Sequence, residues 1–263
     1  MSRDRTLFSQ LAAAGDEVSA TIELADDVLA VAGVLDAESA LQRRLTDPTI
    51  EPSGRAELAE AVFGTRVSKQ AVGILQAAAR LPFTNGGDFA DAVHDSGIRL
   101  LWRAAEAKDE FVATRDALNV LVEAVASSTD LNAALGDESY DLASREALVS
   151  GLLGARAGVF APRLATEAVR HNRRGYAHEL NHYLDVAEGL RARLNATIST
   201  AIQISPEQSA QLISELTRIY GVPVDAVFKI EHDVVGGVRV DVADEVIDGT
   251  IVTKMHDVEN KLG

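Results

Sequence analysis

The chain contains no cysteine among its 263 residues, and this absence excludes three kinds of structure. Without a thiol there is no disulfide framework, no thiolate metal site and no cysteine nucleophile. A reducing cytoplasm is therefore the compartment that the composition favours.

Long apolar runs, basic clusters and phosphate-binding motifs are also missing. No window approaches the roughly 20 apolar residues that span a bilayer, and charge interrupts MSRDRTLFSQ, where a signal peptide has its apolar core. We expect neither insertion nor export. With 40 Asp and Glu against 25 Lys and Arg, the net charge of −15 disfavours nucleic acid and anionic lipid as partners. No cofactor is expected, because no G-x-S-x-G, P-loop or G-x-G-x-x-G motif opens a helix.

The residues that are present divide the chain near position 190. Before it, apolar residues recur at helical spacing, as in Leu24, Val28, Val31 and Leu35. After it come β-branched runs and the alternating stretch 238–242, which are typical of strands. The fold class predicted is mainly α, with tandem or interleaved helical bundles followed by a small C-terminal α/β domain.

The helical part contains an internal repeat. A shift of 90 positions without a gap aligns identical residues, namely Leu41 with Leu131, Leu45 with Leu135, Asp47 with Asp137, Arg55 with Arg145, Leu58 with Leu148, Gly64 with Gly154, Arg66 with Arg156 and Arg80 with Arg170. One helical module has been duplicated on this interpretation. The predicted domains are a first copy (1–95), a second copy (96–190) and the α/β domain (191–263). In the two copies, Ser53 and Ser144 are predicted N-caps, and Gly64 and Gly154 are predicted helix ends.

The last quarter opens with a well-defined helix signal. In ISPEQSAQLISELTRIYG, Ser205 is a predicted N-cap, Pro206 suits the first helical position, and Gln208 completes a capping box. The order expected is strand, helix, strand, hairpin and a closing helix over TKMHDVENKL.

The segment HELNH, with His178, Glu179 and His182, has the H-E-x-x-H spacing of zinc proteases. Such a site needs a third ligand, but Asp185 and Glu188 occupy the positions of the Gly and His in the extended motif, and no Glu stands near residue 202. The matching segment of the first copy carries none of the three residues. Two partly exposed histidines on an ordinary helix are the favoured interpretation, with a zinc hydrolase as the alternative.

The other histidines, His94, His171, His232 and His256, are dispersed, and an isolated His is more often a surface or capping residue than a catalyst. We assign them no role. Trp102 and Phe111 lie on one apolar stripe and are predicted to pack in the core. No set of titrating groups converges in the sequence as an active site requires, so no catalytic residue and no metal ligand is assigned.

One C-terminal run resembles the delta subunit of F-type ATP synthases, called in mitochondria the oligomycin-sensitivity-conferring protein. The run HDVVGGVRVDVADEVIDGTIVTKMHDV is similar to a family pattern of an acidic residue, two apolar residues, Gly-Gly, an alternating strand, a turn and Val-Ile-Asp-Gly-Ser. The matching positions are Asp233, Gly236, Gly237, Val246, Ile247, Asp248, Gly249 and Thr250, where Thr replaces the usual Ser. The helical part resembles the family's N-terminal bundle, and its duplication resembles the lengthened form of high-GC Gram-positive bacteria.

This resemblance implies a protein without catalysis. A delta subunit is a peripheral-stalk, or stator, subunit that links the catalytic headpiece to the b-subunit stalk and resists rotor torque during proton-driven ATP synthesis. Its implied partners are the N-terminal helix of an α subunit and the C-terminal stalk of the b subunit, and its implied location is the cytoplasmic face of the plasma membrane, as a peripheral protein. A helical adaptor outside energy coupling is a further alternative.

The resemblance also implies where the α subunit binds. In the family, an apolar groove between the first and fifth bundle helices receives the α helix. The second copy adjoins the C-terminal domain as the usual bundle does, which favours it as the binding copy, and its candidate groove residues are Leu100, Leu101, Phe160, Leu164 and Ala168. The two copies could also interleave their helices, so the sequence leaves the binding copy open.

Overall fold

A computed structural model of the chain describes residues 5–137, 139–154, 157–191, 194–200, 204–220, 224–231, 238–242 and 245–248. The chain divides into two compact units, residues 1–190 and residues 191–263. Among the described residues, no helix combines the length and the apolar character that a membrane span requires.

Eleven helices precede the first strand of the described chain. They are α1 (Arg5–Asp16), α2 (Ile22–Ala37), α3 (Ser39–Leu45), α4 (Pro52–Phe63), α5 (Lys69–Arg80), α6 (Gly86–Ala107), α7 (Phe111–Ser127), α8 (Thr129–Gly136), α9 (Leu142–Leu153), α10 (Phe160–Arg170) and α11 (Tyr176–Arg191). The predicted helical character of this part is confirmed.

The helix bounds repeat at the spacing that the sequence repeat has. Shifted by 90 residues, α4 (Pro52–Phe63) has the bounds of α9 (Leu142–Leu153). At the same shift, α2, α3, α5 and α6 begin on or near the first residues of α7, α8, α10 and α11, respectively. Their ends also agree, except that α6 is longer than α11. A duplicated module predicts this agreement. Helix α6 runs unbroken through residue 95, so the division into copies 1–95 and 96–190 stays a prediction.

Two predicted N-caps are wrong, and two predicted helix ends are confirmed. Helix α4 begins after Glu51 with Pro52 at its first turn, where the missing N–H of proline leaves no donor unsatisfied. Helix α9 is capped by Asp141, whose carboxylate accepts a hydrogen bond of 2.9 Å from the backbone N of Ser144. The caps are therefore Glu51 and Asp141, not Ser53 and Ser144, while Gly64 and Gly154 end the two helices.

The helices share one hydrophobic core, and α6 lies at its centre. Of the 22 residues in α6, 14 are buried, which means that the helix is covered on most of its circumference. It packs against α1, α2, α3, α5, α7 and α10. Trp102 on this helix is fully buried, and its ring centroid lies 5.0 Å from that of Phe111, which confirms the predicted core packing.

The second unit contains a four-stranded sheet. Its elements are β1 (Leu194–Thr200), α12 (Pro206–Tyr220), β2 (Val224–Ile230), β3 (Val238–Val242) and β4 (Glu245–Asp248), and the strand order is β2-β1-β3-β4. Strands β1 and β2 are parallel and joined through α12, whereas β3 pairs antiparallel with β1 and β4. Leu216 of α12 packs with residues of β1, β2 and β3 in a small core.

The predicted order of strand, helix, strand and hairpin is confirmed. The backbone N of Ser205 donates to Gln208 Oε1 over 2.9 Å, and the backbone N of Gln208 donates to Ser205 Oγ over 3.2 Å, which is the predicted capping box. In β3, Val240 is buried and Arg239 is exposed, as the alternation predicts. The predicted closing helix lies outside the described residues.

Candidate functional site

A cavity of about 530 Å³ opens between α2, α6 and α10 of the helical unit. Its lining residues are Asp26, Leu29, Ala30, Gly33, Asp36, His94, Leu101, Val159, Pro162, Arg163, Thr166, Glu167, Arg170 and His171. On the α2 side, the cavity is lined by the small residues Ala30 and Gly33, which leave it open to solvent. A Cβ built on Gly33 would meet no atom within 4 Å. The cavity therefore has an open side that a further side chain or helix can approach.

Charged side chains of both signs stand at the mouth of this cavity. Arg163 Nη2 lies 3.6 Å from Asp26 Oδ2, and both side chains are about half exposed, so this pair is a weak one. Arg170 Nε donates to Glu146 Oε1 over 2.7 Å, and this hydrogen bond raises the pKa of Arg170. A ligand with both basic and acidic side chains next to an apolar surface would suit this mouth.

The five predicted groove residues lie on the two helices that flank the cavity, α6 and α10. Leu100 and Leu101 lie on α6, and Phe160, Leu164 and Ala168 lie on α10. All five are buried in the helical core, and Leu101 alone of the five lines the cavity. Their side chains hold α6 and α10 together in this structure, so direct contact of these residues with a bound helix stays a prediction.

The floor of the cavity carries two stacked histidines. The rings of His94 on α6 and His171 after α10 have centroids 3.7 Å apart and an interplanar angle of 13°. His94 Nε2 lies 3.3 Å from Glu167 Oε1 and 3.3 Å from the hydroxyl of Tyr183. The pair thus joins α6, α10 and α11 in one polar cluster.

Burial lowers the pKa of His94, but hydrogen bonds to Asp95 and Glu167 outweigh that effect and raise the pKa to about 9. Burial raises the pKa of Asp95, but hydrogen bonds from His182 and His94 outweigh it and lower the pKa well below the ordinary value. His94 is therefore charged at neutral pH, and carboxylates on its own and the neighbouring helix compensate that charge.

A second group of charges ties α2 to this cluster. His171 Nδ1 lies 2.8 Å from Asp36 Oδ2 on α2. Arg173 Nη1 donates to Asp91 Oδ1 over 2.8 Å, and its other terminal nitrogen donates to Asp36. Together the ion pairs connect four helices, α2, α6, α10 and α11, across the line between the two predicted copies. Because each carboxylate of this group has a hydrogen-bonded cation beside it, the charges of the four helices compensate one another.

The sequence analysis missed this cluster, and its expectation of a surface or capping residue is wrong for His94, whereas His171 is the C-cap of α10. Both side chains are buried. The available signal was periodicity: His94 continues the apolar stripe of Ala90, Gly97 and Leu101 on α6, so a helical wheel places its ring toward the core. The partners come from residues up to 135 positions away, which periodicity does not reveal.

The HELNH segment begins α11, and its two histidines have different surroundings. His178 is exposed, whereas His182 is half-buried and its Nε2 lies 2.7 Å from Asp95 Oδ1. Glu179 is buried. In the described part of the chain, no group of three His, Asp or Glu side chains is placed to hold a metal ion.

The C-terminal motif falls largely on residues that the structure leaves undescribed. Asp233, Gly236, Gly237, Gly249 and Thr250 lie outside the described residues, and Val246, Ile247 and Asp248 belong to β4. With its alternating stretch in β3, the motif therefore contributes two strands of the described sheet, and the rest of its predicted role stays a prediction.

A pH titration can test the His94 cluster. The folded pKa of about 9 exceeds the unfolded value near 6.5, so the stabilisation is complete below pH 6.5 and is lost as the pH rises through 9. We expect the free energy of unfolding to fall by roughly 1–3 kcal/mol between about pH 6 and about pH 10. Urea unfolding followed by fluorescence of Trp102, the single tryptophan, measures this change.

Two variants serve as the comparison for this titration. His94→Gln removes the titrating ring, so its stability should depend less on pH over this range. His178→Gln changes an exposed histidine on α11 and should keep the wild-type profile. An unchanged profile in His94→Gln would contradict the assignment.

Comparison with known proteins places this geometry in context. The model of a family described as ATP synthase delta (OSCP) subunit matches residues 100–262. An ATP synthase subunit delta of Streptomyces coelicolor is 33% identical over 240 residues, covering 91% of this chain and 88% of that protein. One from Nocardia farcinica is 29% identical over 261 residues, covering 99% of this chain and 96% of that protein. An ATP synthase subunit b-delta of Mycobacterium sp. strain KMS is 30% identical in an alignment 269 residues long that covers 99% of this chain but 60% of that protein.

Proposed function

The chain belongs to the family of ATP synthase delta (OSCP) subunits, and from this premise we propose that it is a non-catalytic subunit of the peripheral stalk. In this role it links the catalytic headpiece to the b-subunit stalk and resists rotor torque during proton-driven ATP synthesis. The observation that carries the proposal is the similarity to delta subunits over nearly the full length of both chains.

The proposed partner of the helical unit is the N-terminal helix of an α subunit. The cavity between α2 and α10 supports this proposal, because its lining includes the apolar side chains of Leu29, Leu101 and Pro162, the residues Ala30 and Gly33 leave it open on one side, and charges stand at its mouth. A helix that binds a groove in this way presents apolar side chains at i, i+3, i+4 and i+7. Its polar side would then meet Asp26, Arg163 and Arg170.

The proposed partner of the second unit is the C-terminal part of the b subunit. Support comes from the relative named subunit b-delta, of which this chain matches 60% of the length, since that name joins the two subunits in one protein. We propose a peripheral position on the cytoplasmic face of the plasma membrane, held through these partners. The net charge of −15 disfavours direct binding to anionic lipid.

The experiment that tests the proposed function is a titration of the purified chain with two labelled ligands. One is a peptide of the α-subunit N-terminal helix, and the other is a C-terminal fragment of the b subunit. Binding of each in a one-to-one complex is expected. A folded chain that binds neither ligand would overturn the proposal.

We predict that Gly33→Leu weakens binding of the α peptide by at least about tenfold, because its side chain would fill the open side of the cavity. The comparison variant is Gly73→Leu on α5, where a Cβ also meets no atom within 4 Å but which does not line the cavity. Both variants replace an exposed helical glycine, so their effects on helix stability are comparable. Fluorescence anisotropy of the labelled peptide gives both dissociation constants.

The outcomes of this pair distinguish two positions for the α site. Loss of binding in Gly33→Leu alone assigns the α site to the cavity, whose walls come from α2 of the first copy and from α6 and α10. Loss in Gly73→Leu alone would assign it to the surface of α5 and contradict our choice. Substitution is preferable to removal of residues 1–95, because that truncation would cut α6 and expose the core side chains of α6 and α10.

A further inference from the structure

Helix α9 exposes an apolar face that has no charge. Leu148 and Leu152 are 38% and 45% exposed, although large apolar side chains usually lie inside. Ala147 and Gly151 are exposed beside them, and a Cβ built on Gly151 would meet no atom within 4 Å. We call these four residues the α9 face. The opposite side of the helix, with Val149, is buried in the shared core.

The matching helix of the first copy shows that the fold does not require this face. Helix α4 has the same length and bounds at the shift of 90 residues, yet it carries Glu57 where α9 carries Ala147, and Glu60 where α9 carries Ser150. Both glutamates are exposed. The leucine and valine of α4 that match Leu148 and Leu152 are half-buried and pack against the core. The matching surface therefore carries a glutamate and packs its apolar side chains against the core in α4, whereas in α9 it is uncharged and its apolar side chains are exposed.

The charges around the α9 face are negative. Asp137 and Asp141 lie before its first turn and are exposed, as ionised carboxylates at neutral pH. No basic residue occupies the last turn of α9, so the negative end of the helix dipole is not compensated within the helix. Arg145, the cation of this helix, is buried on its other side. A ligand bordered by Lys or Arg would therefore be favoured electrostatically.

We propose that the α9 face is a docking surface for an amphipathic helix of another subunit of the same complex, with leucine-type residues on its inner side and Lys or Arg at their border. This proposal rests on the proposed function, since the partner belongs to the ATP synthase. One helix face is smaller than the roughly 800 Å² per partner that a stable interface needs. A second copy of this chain would be held too weakly, whereas a subunit that is already attached elsewhere benefits from effective concentration.

The absence of cysteine makes a direct test available. Single cysteines are placed at Leu148 and Leu152, and a control cysteine is placed at Val120, which is 66% exposed on α7. The rate of alkylation is measured in the free chain and in the assembled ATP synthase. We expect the complex to slow alkylation at the two α9 positions by at least about tenfold, as burial in a packed interface requires, with little change at Val120. Equal rates in the free and assembled states would overturn the proposal.

Cross-linking then identifies what covers the face. A photo-reactive label on the Leu152→Cys chain is activated in the complex, and the linked peptide is sequenced. A basic amphipathic segment of another subunit is the expected product. A link to a second copy of this chain, or to an acidic segment, would contradict the proposed occupant.

The matched variant is Ala147→Glu, which places in α9 the residue that α4 carries at the same position. Folding should be retained, as monitored by Trp102 fluorescence, and the cross-link yield should fall by about tenfold, because a carboxylate would be buried at the interface. Val120→Glu should leave the yield unchanged. An unchanged yield in Ala147→Glu would overturn the proposal.

The proposed function and the docking surface fail in different experiments. If the wild-type chain does not assemble with the other ATP synthase subunits, the proposed function is wrong. If it assembles but Leu148→Cys and Leu152→Cys stay as reactive as in the free chain, the docking surface alone is wrong.

Discussion

Replacement of Arg55 by Met is expected to lower the free energy of unfolding of the helical unit by about 3 kcal/mol. The Arg55 side chain is buried, and its Nε donates to the carbonyl of Ala79 over 2.8 Å. Its two terminal nitrogens donate to the carbonyls of Asp47, Ile50, Arg80 and Leu81 over 3.2–3.4 Å. Three of the five acceptors lie at the end of α5, where the helix leaves carbonyls without partners. Methionine would fill much of the volume but satisfy none of them.

The internal repeat supplies a matched control for this prediction. Arg145 stands at the equivalent position of the second copy and is also buried. Among the described residues, however, it donates a single long hydrogen bond of 3.5 Å, to the carbonyl of Leu135. Its Nε has no protein partner among the described residues. Arg145→Met should therefore destabilise the chain less than Arg55→Met, because fewer acceptors lose a donor.

Fluorescence of Trp102 during urea unfolding measures both variants, because this fully buried residue reports on the helical unit. Equal losses in the two variants would show that the hydrogen bonds of Arg55 are not what stabilises the first copy. Arg55→Lys adds a further comparison: it keeps the charge but loses the planar fork, so an intermediate loss is expected.

Much of the fold follows from local sequence signals. The helices of the first unit came from periodicity, and the capping box at Ser205 and Gln208 fixed the start of α12. The repeat predicted matching helix bounds in two parts of the chain. The N-caps at Ser53 and Ser144 failed because several polar residues precede each helix, and small differences in hydrogen bonding decide which of them caps it.

The candidate site was less predictable because it depends on contacts between distant residues. Of the five predicted groove residues only Leu101 lines the cavity, and the α2 wall at Ala30 and Gly33 belongs to the other copy. The pairing of His171 with Asp36 joins residues that a single-copy analysis treats separately. Periodicity identifies which side of a helix is buried, but it does not identify which helix covers it.

Gly97→Val is expected to destabilise the helical unit by about 2–3 kcal/mol, because α2 and α6 cross at this position. A Cβ on Gly97 would lie 2.6 Å from Leu29 Cδ2 and 2.7 Å from Leu29 Cγ, closer than carbon atoms approach without strain. Leu29 is buried, so it has little room to move. The two helices must then separate, or Leu29 must leave its rotamer.

Two alanine variants separate this clash from the helix propensity of glycine. Gly97→Ala and Gly73→Ala both gain the preference of alanine for helix, worth roughly 0.8–1 kcal/mol. A Cβ meets no atom within 4 Å at Gly73, so Gly73→Ala should stabilise the chain, whereas Gly97→Ala should not. The difference between their unfolding free energies measures the contact with Leu29. If Gly97→Ala stabilises as much as Gly73→Ala, α2 and α6 do not depend on close approach at their crossing. Because Leu29 also lines the cavity, a real clash should weaken α-peptide binding in the same variant.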